Sequence, residues 1–130
     1  MSLKYLELKN MSNKCNKIVF ILHGYGADAN DLLSIAKYWQ RFLPDFFFCL
    51  PNAPNVCQIN SKGFEWFDLM QTDEKKILEE SLISLKKLEK LIDNKLEMLN
   101  LKFKDLFLVG FSQGTMTVSY THLTLPTKNE

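Results

Sequence analysis

The sequence predicts an α/β fold, a mostly parallel sheet with helices packed on it, and three features carry that expectation. Unbroken apolar runs recur at Ile18–Leu22, Phe46–Leu50 and Leu106–Val109, each of the length expected for a strand covered on both faces. Amphipathic stretches of helical period lie between them. Each run also ends in a chain-breaking residue (His23-Gly24, Pro51 and Gly110). Strand alternating with helix is the pattern that joins parallel strands.

The elements follow in order. Lys4 to Lys9 alternates loosely and suggests a short first strand. After Ile18–Leu22, Asn30 or Asp31 offers a helix N-cap, and Leu32, Ile35, Ala36, Trp39, Phe42 and Leu43 follow at helical spacing until Pro44. From Pro51 to Asp73 the pattern is irregular, with Pro, Asn and Gly throughout and an aromatic cluster at Phe64, Trp66 and Phe67. Loops of this length usually carry a function or serve as lids. Asp73 and Glu74 then open the clearest helix. Leu78, Leu82, Leu85, Leu88, Ile92, Leu96 and Leu99 form its apolar stripe, and Lys and Glu fill the other face.

A length of 130 residues bounds the chain to one domain or part of one. With 46% hydrophobic and 24% charged residues it has the balance of a globular protein, not of a disordered or membrane one. The net charge of +1 supplies no field that would favour a nucleic acid or an anionic membrane as partner. No apolar run approaches the ~18 residues of a transmembrane segment, and Met1–Ser12 lacks the layout of a signal peptide. Cys15, Cys49 and Cys57 have no metal-ligand spacing and cannot all pair, so a reduced, cytoplasmic protein is expected. A reactive thiol at Cys57 is the lesser reading, since no histidine stands in a partner position.

The strongest chemical signal is Gly110-Phe111-Ser112-Gln113-Gly114, a G-x-S-x-G directly after a buried strand. A nucleophilic serine needs a strained strand-to-helix turn, and small residues two before and two after it let the backbone make that turn. The turn lifts the hydroxyl above the carboxyl edge of the sheet, beside the amides of a helix N-terminus. Leu22-His23-Gly24-Tyr25-Gly26 ends another buried strand. Acyl transfer needs preorganised N–H donors for the oxyanion, each worth ~3 kcal/mol. The expected donors are the amides of Gln113, following the nucleophile, and of Tyr25. His23 precedes the oxyanion loop and is expected to hold that loop by hydrogen bonds, not to act as the base.

Four motifs, Leu22-His23-Gly24-Tyr25-Gly26, Leu50-Pro51-Asn52-Ala53-Pro54, Gly63 with Trp66-Phe67-Asp68, and Gly110–Gly114, stand in the order found in the phospholipase/carboxylesterase family, which includes the acyl-protein thioesterases. The chain resembles that family over about residues 17 to 117. The resemblance implies a partial α/β-hydrolase fold, truncated after the nucleophile elbow. It also implies a serine hydrolase that uses no metal or other cofactor and cleaves esters or thioesters, often of acyl chains. Trp66 and Phe67 are similar to the family's substrate-side loop; the alternative is that they are core aromatics.

In this fold the triad follows the order Ser, then Asp or Glu, then His. No aspartate follows Ser112, and the only downstream histidine is His122. His122 would lie on or just past the helix that the serine begins, so it is rejected as the base. Val118–Thr127 is rich in β-branched residues, contains Pro126, and is a poor helix pattern. It resembles a translation of the transposon-end adapter used in sequencing-library preparation. The expectation is that residues 1–117 are the N-terminal part of an α/β-hydrolase domain and 118–130 a non-native tail. The chain itself is then expected to be nearly inactive and, with an exposed sheet edge, prone to aggregation. Two alternatives remain open: a non-catalytic binding domain on a hydrolase scaffold, and a lipase or peptidase of the same fold.

Overall fold

The run Lys17–Leu22 forms β2, an inner strand of a four-stranded sheet whose order is β1 (Tyr5–Leu8), β3 (Phe46–Pro51), β2, β6 (Leu106–Gly110). The computed structural model describes residues 2–128. Strands β3 and β6 flank β2 in parallel, and β1 closes one side antiparallel to β3. The loosely alternating N-terminal segment is thus a strand, as expected.

A continuous apolar strand serves two cores because its side chains alternate faces. Ile18, Phe20 and Leu22 point to one side, where Phe47, Cys49, Trp66, Leu88, Ile92 and Leu96 join them. Val19 and Ile21 point to the other, with Ala36, Phe48 and Leu50. The first core lies under α2 (Glu74–Leu99), the second under α1 (Leu33–Gln40). Connection handedness explains the division. The crossover from β2 to β3 moves one way along the sheet and that from β3 to β6 moves back past β2, so right-handed crossovers place their helices on opposite faces.

The first helix begins earlier and ends sooner than expected. Asp28, not Asn30 or Asp31, caps a 3-10 turn at Ala29–Leu32 that leads into α1. Its Oδ1 accepts from the Asp31 amide at 3.0 Å while Asp31 Oδ2 accepts from the Asp28 amide at 3.2 Å. This reciprocal capping box satisfies both amides, which neither residue alone can do. The helix stops at Gln40, leaving Phe42 66% exposed.

Helix α2 starts where expected, with Asp73 Oδ1 accepting from the Lys75 amide at 3.0 Å. It ends at Asn100, whose φ of 56° is a left-handed cap that Asn adopts more readily than most residues. Its inward stripe comprises Leu85, Leu88, Leu91, Ile92 and Leu96; Leu78 and Leu82, in the first turns, remain exposed. The irregular stretch after β3 contains a two-stranded ribbon, β4 (Asn55–Val56) and β5 (Phe64–Glu65).

Helix α3 runs Gln113–Lys128, straight through the residues expected to be poor helix formers. Thr117 and Thr121 donate their hydroxyls to the Gln113 and Thr117 carbonyls at 3.3 and 2.8 Å, so these polar side chains are satisfied within the helix. The outer edge of β6 has no strand partner among the described residues.

Candidate active site

The pairing of β2 with β6 places two loops side by side. Leu22 and Gly110, the last residues of these strands, are in register, and the Phe111 amide adds one more bond to the Leu22 carbonyl at 3.0 Å. Paired strands lie about 4.8 Å apart, so His23-Gly24-Tyr25 and Phe111-Ser112-Gln113 leave the sheet as neighbours. The chain then runs to α1 on one face and to α3, packed against α2, on the other. Such a divergence opens the crevice at which α/β sheets bind ligands.

Ser112 has a φ of +53°, one of two positive values among the described non-glycine residues. A left-handed β-carbon-bearing residue carries about 1–2 kcal/mol of strain. Two short bonds hold it, from Gly114 N to Phe111 O and from Thr115 N to Ser112 O, each 2.9 Å. The flanking glycines permit the turn: a Cβ on Gly110 would lie 2.5 Å from the Gly114 carbonyl carbon, and one on Gly114 would run into the Leu22 carbonyl oxygen. The Ser112 side chain itself is exposed. Gly24 backs directly onto the elbow, where an added Cβ would stand 3.1 Å from Ser112 Cβ.

Among the described residues, the amides of Tyr25 and Gln113 donate to no protein acceptor. Their neighbours are tied down by a buried network. The Gln113 side chain is 2% exposed; its Oε1 accepts from the Trp66 amide at 2.7 Å and its Nε2 donates to the Phe67 carbonyl at 2.8 Å. Trp66 Nε1 in turn donates to the His23 carbonyl at 2.9 Å, and Ser84 Oγ on α2 donates to the Trp66 carbonyl. The elbow, the Trp66-Phe67 segment and the Tyr25 loop are therefore one hydrogen-bonded unit.

His23 has no free nitrogen to offer the serine. Its Nε2 accepts from the Ala53 amide at 2.9 Å, so Nδ1 carries the proton and donates to the Gly24 carbonyl at 2.7 Å. Burial pulls its pKa below the ordinary 6.5, against the upward pull of that Gly24 bond. The imidazole is a neutral clamp between the oxyanion loop and the Asn52-Ala53 segment. Trp66 and Phe67 are 0% and 7% exposed, with both side chains in the core under α2. Cys57 is likewise buried, which removes the access a reactive thiol needs. The side chain of His122 lies outside the described residues.

Sequence reasoning missed the two side chains that do the fastening. Gln113 was singled out for its backbone alone, and one sequence shows no sign that its amide reads the backbone of a loop 46 residues away. Ser84 left one trace, a small polar residue beside Leu85 and Leu88 on the buried stripe of α2.

The strained serine at a strand-to-helix turn, on a mixed sheet flanked by helices, defines the front part of an α/β-hydrolase fold. The chain belongs to the Phospholipase/Carboxylesterase family, which matches residues 3–130. It is 29% identical to acyl-protein thioesterase 1 of Saccharomyces cerevisiae over 120 residues, covering 85% of this chain and 52% of that protein. It is 31% identical to acyl-protein thioesterase 1 of Schizosaccharomyces pombe over 113 residues, covering 83% and 50%. The crystal structure of esterase PE8 superposes with a TM-score of 0.87 at 36% identity, over 97% of this chain and 60% of that one. The chain thus spans about half the length of the curated relatives it matches.

Strain at Ser112 has a measurable consequence. Ser112→Gly should be more stable than Ser112→Ala by about 1 kcal/mol, because both lose the hydroxyl and only glycine relieves the left-handed backbone. Equal urea midpoints for the two variants would contradict the strained turn.

His23 gives the chain a pH dependence of known sign. Its folded pKa lies below 6.5, so the unfolded chain binds more protons as the pH falls through that value. The stability tied to neutral His23 is therefore fully present above that pH and lost below it. Urea midpoints should drop between about pH 7.5 and about pH 5.5, and the drop should shrink in His23→Gln. An unchanged slope in the variant would show that His23 is not the group responsible.

Proposed function

We propose that this chain carries the nucleophile and the oxyanion donors of a cytoplasmic serine hydrolase that cleaves carboxylic esters or thioesters through an acyl-enzyme on Ser112. The observation that carries the reading is the positive-φ serine set between Gly110 and Gly114. A bystander serine has no physical reason to occupy a strained backbone from which its hydroxyl projects to solvent. The adjacent unbonded amides of Tyr25 and Gln113 support it. The relatives named as acyl-protein thioesterases favour acyl thioesters within that class, and the free cysteines at 15, 49 and 57 fit a reducing compartment.

The reaction follows from the groups present. Ser112 Oγ attacks the acyl carbonyl carbon, and the carbonyl oxygen becomes an oxyanion held by the Tyr25 and Gln113 N–H groups. Collapse of the tetrahedral intermediate expels the alcohol or thiol and leaves the acyl group on Oγ; water then releases the carboxylic acid. The serine proton must pass to an imidazole and from it to the leaving group. His23 cannot take it, since its Nε2 is occupied by Ala53. The reading therefore assigns the base and its carboxylate to the half of the fold that follows residue 117, with residues 118–130 replacing native sequence. Codons for Val118–Thr127 that do not match the adapter would remove that last element.

The experiment is hydrolysis of a short acyl thioester and a p-nitrophenyl ester by the gene extended to the length of its relatives. Ser112→Ala should lower kcat by about 10⁴-fold or more with little change in KM, whereas the 130-residue chain retains only the residual rate of a triad knockout. Undiminished turnover in the Ser112→Ala variant would sink the assignment.

A further inference from the structure

Away from the elbow, two clefts meet beside the C-terminal half of α2, where the N-terminal residues of the chain pass it. One, of about 540 Å³, is walled by Lys86, Lys87 and Lys90 over an apolar floor that includes Leu3, Tyr5 and Met98. The other, of about 430 Å³, holds Lys4, Asn52, Ala53 and Phe64. Ser2, Leu3 and Lys87 line both, so they form one groove.

The charge in this groove is of one sign. No Asp or Glu lines either cleft. Lys95, also at the wall, is 3% exposed and spoken for: Glu7 Oε2 sits 2.7 Å from its Nζ, and the Tyr5 ring lies 4.3 Å beneath it. Lys4, Lys86, Lys87 and Lys90 have no such partner among the described residues. In a chain of net charge +1 this is a local excess that the average conceals. Residues 86, 90, 94 and 98 step along one side of α2 by a helical turn each, running from cation to Met98. Like charges at that spacing repel, and a bound anion relieves the repulsion.

We propose that this groove binds a single-chain anionic amphiphile of the fatty carboxylate class. Its carboxylate sits among Lys86, Lys87 and Lys90, and its chain lies over Leu3, Tyr5 and Met98. The volume is that of a small-molecule site, where apolar walls and a few charged groups divide the work of binding. A flat membrane surface or an acidic peptide would match the lysines without using the apolar residues between them. The groove also reaches the functional edge of the sheet. The Asn52 amide bonds the Lys4 carbonyl at 2.8 Å, and the next residue, Ala53, donates to His23. The inference does not depend on the hydrolase reading, because binding here is measured without turnover.

The test is calorimetric titration of the protein from the gene extended to the length of its relatives with dodecanoate below its micelle concentration, alongside dodecanol, acetate, phosphatidylglycerol vesicles and a poly-glutamate peptide. Dodecanoate should saturate at one site and perturb amide resonances along residues 86–98. The K86E/K87E/K90E variant should weaken it at least about tenfold, with its circular dichroism spectrum preserved. Dodecanol and acetate should each bind at least about tenfold more weakly than dodecanoate, since each lacks one of the two contacts. Should the triple variant not fold, the resonance map on the unmodified chain decides. The proposal is overturned by absence of saturation, by perturbations elsewhere, or by full affinity in a folded triple variant. It is equally overturned if dodecanol, the vesicles or the peptide bind as tightly as dodecanoate.

Discussion

The parallel pairing of β2 with β6, ending level at Leu22 and Gly110, is the constraint on which the rest of the molecule depends. Parallel strands in register release their loops from the same edge at the same height. The Tyr25 loop and the Ser112 elbow therefore meet without any contact of their own having to bring them together. A shift of one residue would turn Ile18, Phe20 and Leu22 toward the α1 face and Val19 and Ile21 toward α2, reversing both cores. Hydrophobic packing thus fixes the register, and the register fixes the site.

Strain is held at this junction by a supporting shell. Ser112 adopts a backbone conformation that Gly110 and Gly114 make sterically possible, and the Gln113 side chain locks the following residue to the Trp66-Phe67 segment. Trp66 then fixes the His23 carbonyl, and His23 fixes Gly24 and Ala53. In the proposed mechanism the oxyanion donors are backbone amides, whose positions cannot be adjusted by a rotamer change. The buried polar side chains around them accordingly act on backbone groups of neighbouring loops. The Trp66 side chain acts on the oxyanion loop through its single indole N–H, buried in the core.

Much of this was legible in the sequence because it rests on local rules. The apolar runs of β2, β3 and β6, the stripe of α2 and the Gly-x-Ser-x-Gly turn each reflect a short-range requirement that residue type reveals. What escaped depends on contacts between distant segments. The Asp28–Asp31 box won over the simpler cap at Asn30 or Asp31 because two carboxylates satisfy each other's amides. Leu78 and Leu82 follow the helical period yet have no cover. The β4–β5 ribbon is too short to carry a periodic signal, and α3 continues through a stretch whose residue types disfavour a helix. The lysine groove is visible only once Lys4 and α2 are brought together, since along the chain its lysines are scattered among acids and leucines.

Covalent labelling puts the role of Ser112 to the most direct test. A fluorophosphonate probe reacts only with a serine that is both activated and open to an oxyanion site, so the gene extended to the length of its relatives should form one adduct, located by peptide mass spectrometry on Ser112 and absent from Ser112→Ala. A folded, extended protein that leaves Ser112 unmodified, or labels at another serine, would contradict the account.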